Sequence, residues 1–405
     1  MRHLVIALAL APVIIAQDRR DEPWDQVREE NLKATVAKLV GFGTRNSLSK
    51  KGNPEAGAWL KGELERIAKG AKGGMRVDFH EFTDERLRRD GEKVPQRNVF
   101  ALLRGSERPT EVVVFGAHYD SLNLRDKDLD GAAPGANDNA TGTAGVLEAA
   151  RILSQIEHDR TIAFVCFTAE EQGLIGAWHF AKFLKDAEMT VVAMLNNDII
   201  GGAKDDEGKP LNDKDVRCFS AGPQESDSRR LARLAKVAVE RRIRDFTVLL
   251  QDRTDRPGRG GDHQSFNRHG MPAIRFIETT ETDKLHHTGN DTIDRIHFPY
   301  CVRVVRADIA LLANLASAPP APGAPDLKRR PSKIGATWMA VDGAKKYLVA
   351  VRRETLEFRE VLETEKPEAE VRAEEEGTWS VCVAAVDAQG NVSLFSPETA
   401  MSLKK

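Results

Sequence analysis

Cysteine is scarce in this sequence. Its 405 residues include four, Cys166, Cys218, Cys301 and Cys382. They show no paired spacing, so neither a disulfide framework nor a cysteine-built metal site is encoded. Cys166 and Cys382 lie in strand-like apolar runs and are expected to act as small buried hydrophobes. A Cys218–Cys301 bridge stays open. An excess of one charge is missing too. Sixty basic residues against 62 acidic ones leave a net charge of −2, which carries no footprint of a nucleic-acid or anionic-membrane partner. Beyond the N-terminus there is no apolar run of membrane-spanning length, so no integral membrane association is expected after signal removal.

The N-terminus does hold a short apolar run. Arg2 and His3 precede Leu4 to Ile15, and Ala16 is followed by the polar QDRRDEPWDQ. This pattern predicts a signal peptide over 1–16 and export to an extracellular or periplasmic space. A hydrophobic content of 41% is enough for substantial cores, and the length suggests two or three domains.

Between residues 98 and 315 short apolar strands alternate with amphipathic helices. Strands are predicted at 98–103, 112–117, 162–168, 190–196, 246–250 and 273–277. Helices are predicted at 141–156, 173–186, 226–241 and 300–315, with earlier ones at 31–41 and 56–69. Val146, Ala149, Ala150, Leu153 and Ile156 recur at three- and four-residue intervals and give one helix an apolar face. The alternation predicts an α/β fold, a mostly parallel open sheet with helices on both faces. Ligands of such sheets gather outside the carboxyl ends of the strands.

Metal-ligating side chains fall at those ends. His118 and Asp120 follow VVVFGA, Asp138 lies in GANDNATG, Glu170 and Glu171 follow IAFVCFTA, Asp198 follows VVAMLNN, and His287 sits in HHTGND. Imidazole and carboxylate together suit zinc, and three carboxylates carry enough charge to hold two divalent ions close together. The pattern is that of a two-metal hydrolase. His158, His179, His269 and His297 lack such company and read as ordinary residues, while His286 is the neighbour that competes with His287.

These segments resemble the co-catalytic dizinc exopeptidases, the secreted bacterial leucyl-type zinc aminopeptidases. The resemblance runs from about Val36 to Leu315. It rests on GTRNS, NVFALLRG, GAHYDS, PGANDNATGTAGVLEAAR, TAEEQGLIGAWHF, NNDIIG, GGDHQSFNRHGMPAI and HHTGNDT, in family order. It implies a zinc peptidase domain over 17–316 that removes residues from peptide or protein N-termini. His118 and Asp198 would hold one zinc ion and Glu171 and His287 the other, with Asp138 bridging the two. Glu170 would be the general base. Asp120 would accept the ring proton of His118 that faces away from the metal. Asp291, Asp262 and His263 would support this set from behind. The alternatives within the superfamily are a carboxypeptidase-type dizinc enzyme, for which Arg253, Arg256 and Arg259 would clamp a carboxylate, and a glutaminyl cyclase-like enzyme. A catalytically dead adhesion protein would lack a ligand or the base, and none is missing.

Two motifs are set aside. DKDLDG (Asp126 to Gly131) opens like a calcium loop but has Asn137 where a glutamate is needed. Asn139, Asn290 and Asn391 head glycosylation triplets, and a glycan on Asn139 would block the site.

SAPPAPGAPD marks a linker over 317–325. Residues 326–405 carry only strand signals and resemble a fibronectin type III sandwich. Trp379 stands where the family's corner tyrosine is usual. A surface or polymer target is one use for such an appendage, which the linker predicts to be separable.

Overall fold

The computed structural model describes residues 22–403, apart from 203, 205–207, 254, 256–258 and 282–284. The predicted signal segment lies outside them, as does Arg256. In chain order the first part contains helices α1 (Glu29–Val40) and α2 (Gly52–Ala68), strand β1 (Met75–Phe82), a two-strand hairpin β2 (Arg88–Arg89) and β3 (Glu92–Lys93), then β4 (Gln96–Leu103) and β5 (Arg108–His118). There follow α3 (Thr141–Leu153), β6 (Arg160–Phe167), α4 (Ile175–Asp186), β7 (Thr190–Asn197), β8 (Asp215–Ser220), α5 (Asp227–Arg242), β9 (Thr247–Gln251), α6 (His263–Arg268), β10 (Ala273–Glu278) and α7 (Phe298–Ser317).

Eight strands form one sheet in the order β1-β4-β6-β5-β7-β10-β8-β9. The contiguous centre, β6-β5-β7-β10, is parallel throughout. Antiparallel pairings lie to either side of it, at β1/β4, β4/β6 and β10/β8. Its central strands are buried on both faces, which is why they read as unbroken apolar runs. Strand periodicity divides those runs between two cores. Val113, Phe115, Ala117, Ile162, Phe164 and Cys166 pack under α1, α2, α3, α5 and α7. Val112, Val114, Ala163, Val165 and Phe167 face α4 and α6.

Two strands of this sheet escape the sequence reading. β1 is an edge strand whose residues are mostly half-buried, and β8 is short and carries Arg217, so neither shows a clean apolar signature. The four cysteines are all buried and free, so Cys218 and Cys301 are not bridged. Among the described residues no helix is long and apolar enough to cross a membrane.

After α7 the chain builds β11 (Asp326–Arg330), β12 (Lys333–Thr337), β13 (Lys346–Arg352), β14 (Glu360–Thr364), β15 (Glu368–Arg372), β16 (Gly377–Val386) and β17 (Thr399–Leu403). A three-stranded antiparallel sheet, β11-β12-β15, faces a four-stranded one, β14-β13-β16-β17. Ile334, Ala336, Val349, Val351, Val371, Val381 and Val383 fill the space between them.

The opposite face of the four-stranded sheet is not free. Leu348, Ala350, Cys382, Ala384 and Val386, with Val392 and Phe395, join the same apolar core as α5 and α7. Asn314 on α7 bonds both main-chain groups of Val392, at 2.7 and 2.8 Å. Buried Arg233 on α5 meets buried Glu398 at 3.1 Å, and Arg352 meets the same carboxylate at 2.6 Å. The separable appendage expected from the Pro/Ala linker is therefore docked on the first domain through an apolar face and a buried ion triad.

Candidate metal centre

Each ligand candidate is delivered by the carboxyl end of a strand or by the loop beyond it. His118 is the last residue of β5, and Asp198 directly follows β7. Asp138 sits in a tight π-type turn, Ala136–Ala140, that leads into α3. Glu170 and Glu171 lie between β6 and α4, and His287 lies between β10 and α7. Strand register thus sets these residues side by side although His118 and His287 are 169 positions apart in sequence.

Two triads result, His118 with Asp138 and Asp198, and Asp138 with Glu171 and His287. His118 Nε2 is 3.3 Å from Asp138 Oδ1 and 3.6 Å from Asp198 Oδ1. His287 Nε2 is 3.0 Å from Asp138 Oδ2 and 3.0 Å from Glu171 Oε2. Tetrahedral zinc with bonds near 2.0–2.1 Å separates its ligand atoms by about 3.3 Å, so the donor spacing fits that ion. The two oxygens of Asp138 face different histidines, as a bridging carboxylate requires. Glu171 Oε1 is buried without a partner, a group that a cation would satisfy.

Electrostatics point the same way. Burial pushes Glu171 up to about 7, and Asp138 beside it adds to the rise. Burial also lifts Glu170 well above the usual carboxylate range, against the pull of His118 and with the help of Glu171, Asp198 and Asp262. Burial pushes Asp138 up as well, but its bonds from His118 and His287 outweigh that and hold it well below. Carboxylates packed this closely away from water repel one another unless cations sit among them.

The supporting residues differ in detail from the sequence expectation. His118 Nδ1 lies closer to the main-chain carbonyl of Asp120, at 3.2 Å, than to its carboxylate, at 3.7 Å. That carboxylate instead accepts the backbone N–H groups of Glu170 and Glu171, both at 3.2 Å. Asp120 therefore fixes the two glutamates as much as the imidazole. Asp291 accepts the backbone N–H groups of Asn137 and Asp138, both at 2.9 Å, and so holds the turn of Asp138 rather than the ring of His287. Asp262 is fully buried with neither oxygen bonded, and its field is felt at Glu170. His263 begins α6 and lines a neighbouring cavity of about 200 Å³. His286 is buried outside both triads, and His287 is the one of the two histidines placed in a triad.

Ala169, Ile199 and His287 hold left-handed φ angles of 55°, 63° and 55°. Each is a candidate ligand or flanks one of the candidate site residues, and β-branched Ile199 is the most costly there. Sequence reasoning missed the cations and acids behind the ligands. Arg275 on β10 bonds Asp198 at 3.2 Å and pairs with Asp255. Glu278 receives both bonds of the Asn137 amide and the N–H of Gly202. Arg45 ties the loops together from beneath. Each falls inside or beside a quoted motif but carries no spacing signal of its own. Asp130 of the calcium-like loop is taken by Arg89 and the N–H of Lys50. Asn139 is buried, its amide on the carbonyl of Asn197.

The chain can now be set beside known proteins. Residues 98–311, more than half of it, match the model of peptidase family M28. A probable zinc metalloprotease of Leptosphaeria maculans is 34% identical over 332 residues, covering 74% of this chain and 76% of the relative. One from Pyricularia oryzae is 32% identical over 360 residues, covering 80% and 72%. Among solved structures, the Legionella pneumophila LapA aminopeptidase superposes with a TM-score of 0.59 at 24% identity, over 73% of this chain and 74% of that one. A Bacteroides thetaiotaomicron glutaminyl cyclase does so with a TM-score of 0.55 at 19% identity, over 71% and 98%. By its family match and its relatives, this chain belongs to peptidase family M28 and is a zinc metallopeptidase.

Proposed function

We propose that this chain is an exported aminopeptidase with two zinc ions, one held by His118 and Asp198, the other by Glu171 and His287, and both by Asp138. The observation that carries this reading is the pair of triads sharing one carboxylate while Glu170, adjacent to a ligand, belongs to neither. Zinc held by these residues would supply Lewis-acid chemistry, polarising a scissile carbonyl and lowering the pKa of an attacking water. Glu170 takes the proton from that water and passes it to the leaving amine, a task suited to a carboxyl whose pKa burial has raised. Asp120 holds Glu170 and Glu171 by their backbones, so base and ligand keep their separate directions.

Preference for a free N-terminus follows from the surplus of acid. Asp262 is buried without a hydrogen-bond partner and lies within the field of Glu170, and a substrate ammonium would compensate both. A carboxypeptidase reading needs a free cation near the metals, whereas Arg259 is engaged by Glu281 and Asp255. Completeness of both triads favours peptide hydrolysis over cyclisation by a single ion. The C-terminal three-plus-four sandwich supports a fibronectin type III-like domain, and the basic-then-apolar segment from Arg2 to Ile15 supports export.

The test uses purified protein with peptides that are free, N-acetylated or C-amidated. Release of the first residue from free and amidated peptides, its loss on acetylation and its loss to a chelator are the expected results. Cleavage that ignores acetylation, or that requires a free carboxylate, overturns the aminopeptidase reading.

A further inference from the structure

Arg45 lies in the segment between α1 and α2 and is among the largest fully buried side chains. A buried guanidinium usually faces a carboxylate. Arg45 does not, since among the described residues it forms no ion pair. Its donors go to main-chain carbonyls. Nε reaches Tyr119 at 2.6 Å, Nη1 reaches Leu39 at 3.1 Å and Pro134 at 2.6 Å, and Nη2 reaches Gly135 at 2.8 Å. Tyr119 stands between His118 and Asp120, and Pro134 and Gly135 lead into the turn of Asp138. The backbone of Arg45 is itself pinned, its N–H on Ser121 Oγ at 3.0 Å and its carbonyl under the Asn53 amide at 2.9 Å.

We infer that Arg45 is a positioning residue for the metal centre: its planar fork locks the strand end that carries His118 to the turn that carries Asp138. This rests on reading those two residues as ligands. Burial lowers its pKa to about 10, with Asp291, Asp120, Asp138 and Glu171 opposing that fall. The group therefore stays charged at neutral pH and offsets part of the acid behind the ligands. Lysine cannot replace it, because a single ammonium on a flexible stem does not span four carbonyls in fixed directions. Gly135 confirms how close the contact is. Its φ is +50°, and a methyl group there would lie 2.5 Å from the carbonyl oxygen of Asp138, 2.6 Å from Ser121 Cβ and 2.9 Å from Arg45 Nη2.

The test compares Arg45→Lys with Arg233→Lys, a second buried arginine that sits in the interface between the two halves of the molecule. Hydrogen exchange is followed on metal-free protein, and zinc release to a chelator on loaded protein. For Arg45→Lys, faster exchange is expected at 119–121 and 133–140, with zinc release about 10–100-fold faster, the usual scale for a residue behind a ligand. Turnover should fall with KM little changed. Arg233→Lys should lower stability and alter neither local exchange nor zinc release. If the two variants behave alike, or if Arg45→Lys loses stability without local exchange, Arg45 is merely structural and the inference falls. If Arg45→Lys does not fold, Arg45→Gln, which keeps a planar donor group but cannot reach all four carbonyls, must give the same exchange pattern, and its failure to do so also overturns the inference. Wild-type protein that holds no zinc would refute the ligand reading, while the exchange data would still judge the clamp.

Discussion

The eight-stranded sheet and the C-terminal sandwich use the same physics for opposite ends. Both split apolar strands between two buried faces by the period-two alternation of side chains. In the sandwich the few buried polar groups are spent locally. Ser393 and Ser396 each bond the backbone on both sides, and Arg352 is held by Glu398. At the carboxyl end of the large sheet, buried polar groups are crowded and short of partners, as Glu171 and Asp262 show. Burying an unpaired polar group costs about 1–3 kcal/mol in proteins. Among the described residues the sandwich leaves Trp338 Nε1 and Arg353 Nε in that state, whereas Glu171, Asp262 and His286 bear it at or near the two triads. Buried carboxylate oxygens without a partner, found among the described residues only in the large-sheet half, are what set that half apart.

The sharpest way to test this contrast is to alter the two adjacent glutamates. Glu170→Gln keeps the ligand set and should lower turnover by about 10²–10⁴, the usual contribution of a general base, with metal content unchanged. Glu171→Gln should lose metal as well as rate. Metal analysis and turnover on both variants decide it; zinc loss in Glu170→Gln but not in Glu171→Gln would reverse the roles.

A smaller effect is expected at the seam. Glu398→Gln removes the carboxylate between two buried guanidinium groups, and stripping one partner from a buried pair costs about 3–5 kcal/mol. Denaturant unfolding should show that loss, while initial activity on small peptides is kept. For the same reason a chain ending at Ala316 should be poorly soluble, because the face of α5 and α7 that meets the four-stranded sheet would be bare. A soluble, active truncation would return the sandwich to the status of a loose appendage.

A more gradual effect, small over any one pH unit, concerns pH. Burial lifts Glu278 to about 8 against its bonds from Asn137 and Gly202. A carboxyl whose folded pKa is raised binds more protons folded than unfolded, so stability falls as pH climbs from about 4.5 to 8, by at most about 1.4 kcal/mol per pH unit. Glu278→Gln should flatten that decline. Unfolding midpoints taken between pH 5 and 9 would reveal it, and a slope equal to that of wild type would show that Glu278 is ionised in the folded protein.

Much of this was legible because it is local. Apolar runs such as VVVFGA and IAFVCFTA announce strands buried on both faces, and the residue after such a run stands at a carboxyl end, where His118, Glu170 and Asp198 fall. A Pro/Ala stretch announces the end of α7. These features depend on neighbours within a few positions, and so the order of residues determines them. Edge strand β1 and short β8 were hidden because their burial comes from partners distant in sequence.

Tertiary structure alone decided which groups meet. It gave Asp138 one oxygen toward each of two histidines, set His287 rather than His286 beside it, turned Asp291 onto a backbone turn, and threaded Arg45 under four carbonyls. It also pressed one face of the sandwich onto α5 and α7. Each of these choices depends on distances of about 3 Å between groups far apart in the chain, within the range of a hydrogen bond or a shared ligand. Local sequence cannot specify such distances; only the packed sheet and its helices bring those atoms into range.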